Sequence, residues 1–398
     1  MSVSLLTMNW RPRNYTFRAG EKMCLIQEYP YELSAPVSVN ADGELTASLT
    51  DLPRVFSQKL YVEDGFLCSE EGKIPAAEQV SIPAVAGLLG LKTQTVGEYL
   101  VLIREEQIPP HILQAIAAQA EAAKAAGQPV PPSPFMRKDP DAAFIESSLK
   151  NFEATQGHLY RLFYYEPLNC LIPVRLYVPQ AVAEAEKTGA KVPLLVMLHG
   201  GGSGVDEIFW SSEDKLTNLA EQYGVLVMVA DGCIRNCSYG CKLAPEGVAA
   251  AAAASFANDE KSLVGKYHAE ESLLARIRYY SEVYPVDSAR IYVGGNSMGG
   301  MGSFYLGQQH PDLFAGIAPA AAAPQISAFD TAPLKGMPIY FTGGTEDDHG
   351  FIHLERAAKS MIADGLDLTF DAVQGGTHGH AWVDTLDRWL PFLLAHHK

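Results

Sequence analysis

The chain has 398 residues, of which 47% are hydrophobic and 19% are charged, a composition ordinary for a globular protein. This length is enough for two domains or for one large domain with an appendage. The formal net charge of −16 at pH 7 repels phosphate backbones and anionic membranes, which argues against nucleic acid as a partner. No apolar run approaches the roughly 20 residues that span a bilayer, so we expect no membrane partner.

The N-terminus and the cysteines bear on the compartment. Residues 1–10 lack the basic region and the long apolar region of a signal peptide, so we expect a cytoplasmic protein, with a secreted protein whose leader has been removed as the alternative. Three of the six cysteines, Cys233, Cys237 and Cys241, share one loop. Their spacing does not fit the paired ligands of a zinc site, so free thiols are favoured over a local disulfide or a metal site.

The first 106 residues have the pattern of a small β domain. Short alternating or aromatic runs are separated by turn sequences such as Ala41-Asp-Gly43 and Glu63-Asp-Gly65. Strands at this spacing, with no helices between them, predict an immunoglobulin-like β-sandwich over residues 1–106. The region has no catalytic cluster. We expect it to stabilise the chain or to mediate homo-oligomer formation, ahead of carbohydrate binding or covering of an active site.

A helical and Pro-rich linker is predicted over residues 107–146, from an Ala-rich stretch that ends at a run of prolines. From about Ser147 strands alternate with helices, which is typical of a largely parallel sheet covered on both faces. Residues 147–398 are therefore predicted to form an α/β-hydrolase domain. The Ala-rich run 249–254 is predicted to be a helix in an insertion or cap.

The stretch from Arg290 to Gly300 combines a β-branched strand, a G-x-S-x-G pattern and a following helical segment. A strand, a sharp turn and a helix with a serine at the apex form a nucleophile elbow, so Ser297 is the predicted nucleophile. A serine hydroxyl becomes reactive only when a histidine takes its proton and a carboxylate fixes that histidine. On this fold the acid and then the histidine follow the serine along the chain.

Two later loops supply these partners. The Gly-rich loop after the last predicted strand contains His378, the preferred base, with His380 as the alternative. The loop after the preceding strand contains Asp347, the preferred acid, with Glu346 and Asp348 left open. Loops at the carboxyl ends of parallel strands are where open α/β sheets place their sites.

An oxyanion hole is predicted from the Gly-rich turn that follows the strand ending at Leu198. The glycines let backbone N–H groups approach a tetrahedral oxyanion, and we expect the donors to be Gly201 and Met298. His199 is expected to tie loops together rather than to act in catalysis. Four further residues are candidate substrate contacts: Gly202, Trp210, Tyr239 and Asn296. For the two aromatic residues, a position in the core is equally consistent with the sequence.

Several motifs together resemble one family. They are Leu198-His-Gly-Gly-Gly, Asp287-Ser-Ala-Arg-Ile-Tyr followed by the elbow, His310-Pro-Asp-Leu-Phe, Gly344-Thr-Glu-Asp and Gly376-Thr-His. From about residue 150 onward the chain resembles the esterase branch that contains feruloyl and acetyl xylan esterases and polyhydroxybutyrate depolymerase-like enzymes. The resemblance implies an α/β-hydrolase that cleaves carboxylic esters with no metal or cofactor. It matches the family's acid to Asp347 and its histidine to His378.

We therefore predict a serine carboxylesterase acting on a small-molecule or polymeric ester, of short-chain acyl, feruloyl or other aryl, or polyester type. An acyltransferase that uses the same acyl-enzyme is one alternative. A non-catalytic polysaccharide-binding protein is the other.

Overall fold

The structure, a computed structural model, describes residues 6–56, 59–105, 114, 117–118, 120–121, 124–125, 139–248 and 259–398. These residues form two compact units. One unit is Pro12–Asn151, and the other combines the described part of Met1–Arg11 with Phe152–Lys398. Most of the predicted linker and the predicted helix over residues 249–254 lie outside the described residues.

The unit Pro12–Asn151 is built mainly from antiparallel strands. A five-stranded sheet has the order β10-β11-β1-β2-β3, and two three-stranded sheets have the orders β4-β5-β9 and β6-β7-β8. The strands are β1 (Asn14–Arg18), β2 (Met23–Ile26), β3 (Tyr29–Glu32), β4 (Ser38–Val39), β5 (Leu45–Ser48), β6 (Tyr61–Glu63), β7 (Phe66–Cys68), β8 (Lys73–Pro75), β9 (Gln79–Ser81), β10 (Lys92–Val96) and β11 (Tyr99–Ile103). The predicted β character is confirmed, while the immunoglobulin-like assignment stays a prediction.

The same unit contains helices α1 (Leu52–Val55), α2 (Ile82–Leu88) and α3 (Ala142–Lys150). The first two lie between strands, where the sequence analysis predicts no helix, so that expectation is wrong. Both have a proline in the first turn, where its missing N–H is tolerated. The Ser81 hydroxyl also caps α2 by accepting a hydrogen bond from the Ala84 N–H at 3.1 Å.

The second unit is organised around an eight-stranded sheet of order β12-β13-β15-β14-β16-β17-β18-β19. The pairs β12–β13 and β13–β15 are antiparallel and the other neighbours are parallel. The strands are β12 (Gly157–Tyr165), β13 (Cys170–Val178), β14 (Val192–Leu198), β15 (Leu226–Ala230), β16 (Val286–Asn296), β17 (Gly316–Ala320), β18 (Ile339–Gly344) and β19 (Leu368–Val373). This mostly parallel sheet confirms the predicted α/β-hydrolase fold.

Eight helices of this described unit lie between its strands or follow the last strand. They are α4 (Gln180–Thr188), α5 (Asp206–Ser212), α6 (Lys215–Tyr223), α7 (Glu260–Val283), α8 (Met298–Gln309), α9 (Phe351–Ala363), α10 (Ala381–Asp384) and α11 (Leu386–Leu394). Within the described part of the chain, no helix combines the length and the apolar character that crossing a bilayer requires.

The core of this unit forms because its central strands are apolar on both faces. Every residue of β14 and of β15 is buried, as expected for parallel strands covered by helices on both sides. Phe304 fixes the helix α8 to the sheet. Its ring packs edge-on against Phe341 of β18 at 5.2 Å and against Phe329 at 6.2 Å, measured between ring centroids.

We expect Phe304→Ala to lower the unfolding free energy of this unit by about 3–5 kcal/mol, because it leaves a cavity beneath α8. Ile352→Ala, at a side chain 63% exposed, is the matched control and is expected to change it by less than about 0.5 kcal/mol. Tryptophan fluorescence during urea unfolding reports on this unit alone, because all four tryptophans of the sequence belong to it: Trp10, Trp210, Trp382 and Trp389. Equal midpoints for the two variants would contradict the packing role.

Candidate active site

Ser297 occupies a strained turn between β16 and α8. Its backbone has φ 55° and ψ −115°, a conformation that is costly for a residue with a side chain. The Ser297 N–H donates a hydrogen bond to the carbonyl oxygen of Ala320 at 2.9 Å. This bond ties the turn to the end of β17. The structure thus forms the predicted strand–turn–helix with the serine at its apex.

Close backbone contacts explain the glycines on either side of Ser297. A Cβ on Gly299 would lie 2.1 Å from the carbonyl oxygen of Leu198, and one on Gly295 would lie 2.6 Å from the same atom. A Cβ on Gly300 would lie 2.3 Å from the carbonyl oxygen of Ala320. Because these obstacles are backbone atoms, no side-chain movement can relieve them. Glycine is required at all three positions.

The structure brings His378 and Asp347 together. The Nδ1 atom of His378 lies 3.0 and 2.9 Å from the two carboxylate oxygens of Asp347, and the His349 N–H donates to the same carboxylate at 2.8 Å. Burial raises the pKa of Asp347, but the hydrogen bonds from His378 and from the His349 N–H outweigh burial and hold this pKa below its usual value. Asp347 is therefore a carboxylate that accepts the Nδ1 proton and leaves Nε2 of His378 free to accept another.

The other predicted candidates take no part in this pair. Glu346, Asp348 and His380 are exposed, and Asp348 contacts only the His349 ring, at 3.0 Å from Nδ1. Within the described residues, one ligand atom each from Asp347, Asp348, His349 and His378 lies within 4.8 Å of the others, so this group is close enough to hold a metal ion.

Ser297 and His378 line the same cavity, which has a volume of about 380 Å³. Met301, Leu354 and Ala321 contribute apolar wall. No hydrogen bond joins the Ser297 hydroxyl to His378 in the described structure. Catalytic hydrogen bonds are often long before substrate binds. The two side chains therefore need only reach the same cavity in this state, and they do.

The two predicted oxyanion donors also line this cavity. A Cβ on Gly201 would lie 3.9 Å from the Cβ of Met298, which places the two residues side by side. Met298 begins α8, so its N–H has no acceptor within the helix. The neighbouring N–H of Gly200 is already engaged, because it donates to the Glu207 carboxylate at 3.0 Å. Gly201 and Met298 thus lie next to each other at the cavity, as the predicted oxyanion hole requires.

None of the four predicted substrate contacts is among the described residues that line this cavity. Tyr239 is fully buried, and its hydroxyl lies 3.3 Å from the carbonyl oxygen of His199, so it is a core residue. Trp210 lies on α5 with its side chain 56% exposed. Asn296 is buried at the end of β16, and Gly202 is an exposed turn residue with φ 78°.

Sequence reasoning missed five polar residues of the cavity: Asn236, Ser238, Glu246, His349 and His353. The His349 ring lies against that of His378, with centroids 4.0 Å apart. Its position two residues after Asp347 was a usable signal. Glu246 and His353 come from a loop and a helix without any motif, and only the fold brings them to the cavity.

His199 has the structural role that the sequence analysis expects. The Gly232 N–H donates to its Nε2 at 3.1 Å, and its Nδ1 therefore donates to the Gly200 carbonyl oxygen at 2.8 Å. Both ring nitrogens are thus used within the loops. All six cysteine thiols are buried, and burial raises the pKa of Cys237 to about 12 and that of Cys241 to about 11. Because the reactive form of cysteine is the thiolate, these cysteines are poorly suited to act as nucleophiles.

Comparison with known proteins bears on the same region. Residues 166–350 match an esterase family whose model is described as "Putative esterase". Feruloyl esterase B of Neurospora crassa is 29% identical over 165 residues, which cover 39% of this chain and 48% of that protein. The chain thus spans about half the length of this curated relative.

Solved structures show weaker likenesses. A thermostable esterase is 22% identical with a TM-score of 0.47, covering 61% of this chain and 63% of its own. An S-formylglutathione hydrolase from Agrobacterium tumefaciens is 16% identical with a TM-score of 0.46, covering 62% and 98%. The strand order and the family match together support the resemblance seen in the sequence: residues 166–350 match an esterase family, and the sheet around them has the strand order of an α/β-hydrolase.

Proposed function

We propose that this protein is a serine carboxylesterase whose nucleophile is Ser297, whose base is His378 and whose orienting acid is Asp347. The observation that carries the proposal is the hydrogen-bonded pair of His378 and Asp347, which lines the same cavity as the strained Ser297 turn. The match to an esterase family supports it.

Acylation begins when Nε2 of His378 takes the proton of the Ser297 hydroxyl as its oxygen attacks the ester carbonyl. The negative charge that develops on the carbonyl oxygen is held by the N–H groups of Gly201 and Met298. Each such donor contributes about 3 kcal/mol to stabilisation of the transition state. The tetrahedral intermediate then expels the alcohol, which receives its proton from His378.

Deacylation repeats these steps with water. His378 takes a proton from the water as it attacks the acyl-enzyme, and the acid product leaves as Ser297 recovers its proton. An acceptor alcohol in place of water would give acyl transfer, so product analysis with added alcohol separates the two reactions.

We propose a feruloyl or similar aryl ester as the substrate. The name of the curated relative supports this class. So do the apolar walls of the cavity, whose volume of about 380 Å³ lies in the range of ligand pockets. The His349 and His353 rings in the same cavity offer Nε2 atoms to a phenolic hydroxyl or to the alcohol part, whereas the Glu246 carboxylate is already held by Arg356 and the Ile326 N–H.

Ser297→Ala is expected to lower kcat by at least about a thousandfold, because it removes the nucleophile. Hydrolysis of methyl ferulate and of p-nitrophenyl acetate, butyrate and octanoate measures this effect. Ser327→Ala, at an exposed serine outside the cavity, is the control and should retain wild-type rates. Equal turnover by Ser297→Ala and wild type would show that the elbow is not the catalytic centre.

Asp347→Asn is expected to lower kcat about 10³–10⁴-fold, because an amide no longer holds His378 with its proton on Nδ1. Asp348→Asn makes the same chemical change at the adjacent residue, whose side chain is 82% exposed, and should lower kcat by less than about threefold. The same ester assays compare the two variants. A larger loss in Asp348→Asn would transfer the orienting role to that residue.

The lowered pKa of Asp347 also predicts a pH dependence of stability. A carboxyl group with a depressed folded-state pKa stabilises the fold above its unfolded pKa of about 3.9 and loses this contribution as pH falls through the folded value. The difference in unfolding free energy between wild type and Asp347→Asn should therefore shrink below about pH 4. Urea titrations followed by tryptophan fluorescence measure it, and a difference that grows on acidification would contradict the ionised pair.

A further inference from the structure

Residues near the N-terminus belong to the hydrolase unit, although residues 12–151 separate them from it along the chain. They lie beside the loop that follows β15 and are hydrogen-bonded to its backbone. The Asn9 N–H donates to the Cys233 carbonyl oxygen at 2.9 Å, and the Arg235 N–H donates to the Thr7 carbonyl oxygen at 2.8 Å. Met8 forms an antiparallel bridge to the same loop.

The side chain of Asn9 reaches the predicted oxyanion loop. Its Nδ2 donates to the Ser203 carbonyl oxygen at 3.1 Å and lies 3.4 Å from Nε2 of His199. Ser203 and His199 bracket the three glycines that include Gly201. One amide group therefore contacts both ends of the loop.

The third contact of this amide is with a buried carboxylate. Nδ2 donates to Oδ2 of Asp231 at 2.7 Å, while the Cys233 N–H donates to Oδ1 at 2.8 Å. Asp231 is 1% exposed. Burial raises its pKa, but the polar groups around it, including the Asn9 amide, outweigh burial and hold that pKa below its usual value. Asn9 therefore donates to an ionised carboxylate that is shielded from water.

This arrangement matters because a run of three glycines has few conformational limits of its own. Oxyanion donors stabilise a transition state only when they are held in place before the reaction, and a displacement of about 1 Å costs on the order of 100-fold in rate. Other contacts also hold the loop, including that of Glu207 with Gly200. Asn9 adds hydrogen-bond contacts to this loop from a segment that lies far from it along the chain.

We propose that Asn9 is a positioning residue that holds the oxyanion loop so that the Gly201 N–H meets the oxyanion. Asn9 acts through the loop and not on the substrate. The inference rests on the proposed esterase function.

The test compares Asn9→Ala with Thr7→Ala. Thr7 lies on the same segment with an exposed side chain, and its hydrogen bond to the loop after β15 uses only its backbone carbonyl oxygen. For Asn9→Ala we expect kcat to fall at least about tenfold with KM within about twofold, because the oxyanion exists only in the transition state. Affinity for a trifluoromethyl ketone, which adds to the serine as a tetrahedral oxyanion, should fall by the same factor as kcat/KM. Thr7→Ala should match wild type in all three measurements.

Asn9→Asp provides a second readout with the shape of the side chain unchanged. At pH 7 it replaces the donor with a carboxylate next to Asp231, whereas at lower pH the two carboxylates can share one proton and restore a donor. The ratio of its kcat to the wild-type kcat should therefore rise as pH falls, while the ratio for Asn9→Ala stays constant. If Asn9→Ala does not fold, the pH dependence of Asn9→Asp alone tests the positioning role of Asn9.

The outcomes separate the two proposals. A wild type that hydrolyses esters, with an inactive Ser297→Ala but unchanged kcat and inhibitor affinity in Asn9→Ala, overturns the role of Asn9 and leaves the esterase standing. A lower unfolding midpoint with unchanged kcat per titrated active site likewise reduces Asn9 to a structural residue. A wild type that hydrolyses none of the esters overturns both.

Discussion

The close approach of three backbones around Ser297 is the constraint on which the site depends. The carbonyl oxygens of Leu198 and Ala320, at the ends of β14 and β17, stand where side chains of the flanking glycines would project. The hydrogen bond from the Ser297 N–H to Ala320 holds the turn in a backbone conformation that serine adopts only at a cost. Packing of the sheet stabilises this strained turn, and the turn places the Ser297 hydroxyl in the cavity.

Around that turn, the reactive groups come from separate strand ends of one sheet. Asp347 follows β18, His378 follows β19, and Gly201 follows β14, so each loop starts from a rigid support. The buried charges are compensated locally. Asp347 is stabilised by His378 and a backbone N–H, and Asp231 by Asn9 and another backbone N–H, as buried carboxylates require. The first pair includes the proposed base, and the second lies against the loop that contains the proposed oxyanion donor Gly201.

The residues that sequence analysis could identify are those fixed by local rules. Ser297 needs a particular turn and therefore particular glycines, and Asp347 and His378 follow from the order of strands on this fold. Tyr239 could not be assigned in this way, because an aromatic residue in a loop has the same local sequence whether it is core or cavity wall. The short helices α1 and α2 were missed because a proline in the first turn, joined in α2 by a serine cap, can start a helix within a β pattern. Asn9 has no motif at all, since its partners lie 190 to 222 positions away.

That separation has a consequence for how the protein acquires its shape. For a flexible chain, closing the Asn9–Asp231 contact costs about 2 kcal/mol more conformational entropy than closing the contact of Asp347 with His378, which spans 31 positions. The eight-stranded sheet and the elbow can form from residues that follow 152, whereas the contacts of Asn9 must wait until the loops after β14 and β15 exist. Loop-closure entropy therefore favours an order of assembly in which the Ser297 turn forms before the N-terminal segment binds to these loops. A newly folded molecule would pass through a stage in which its sheet is complete and its Gly-rich loop still lacks one of its anchors.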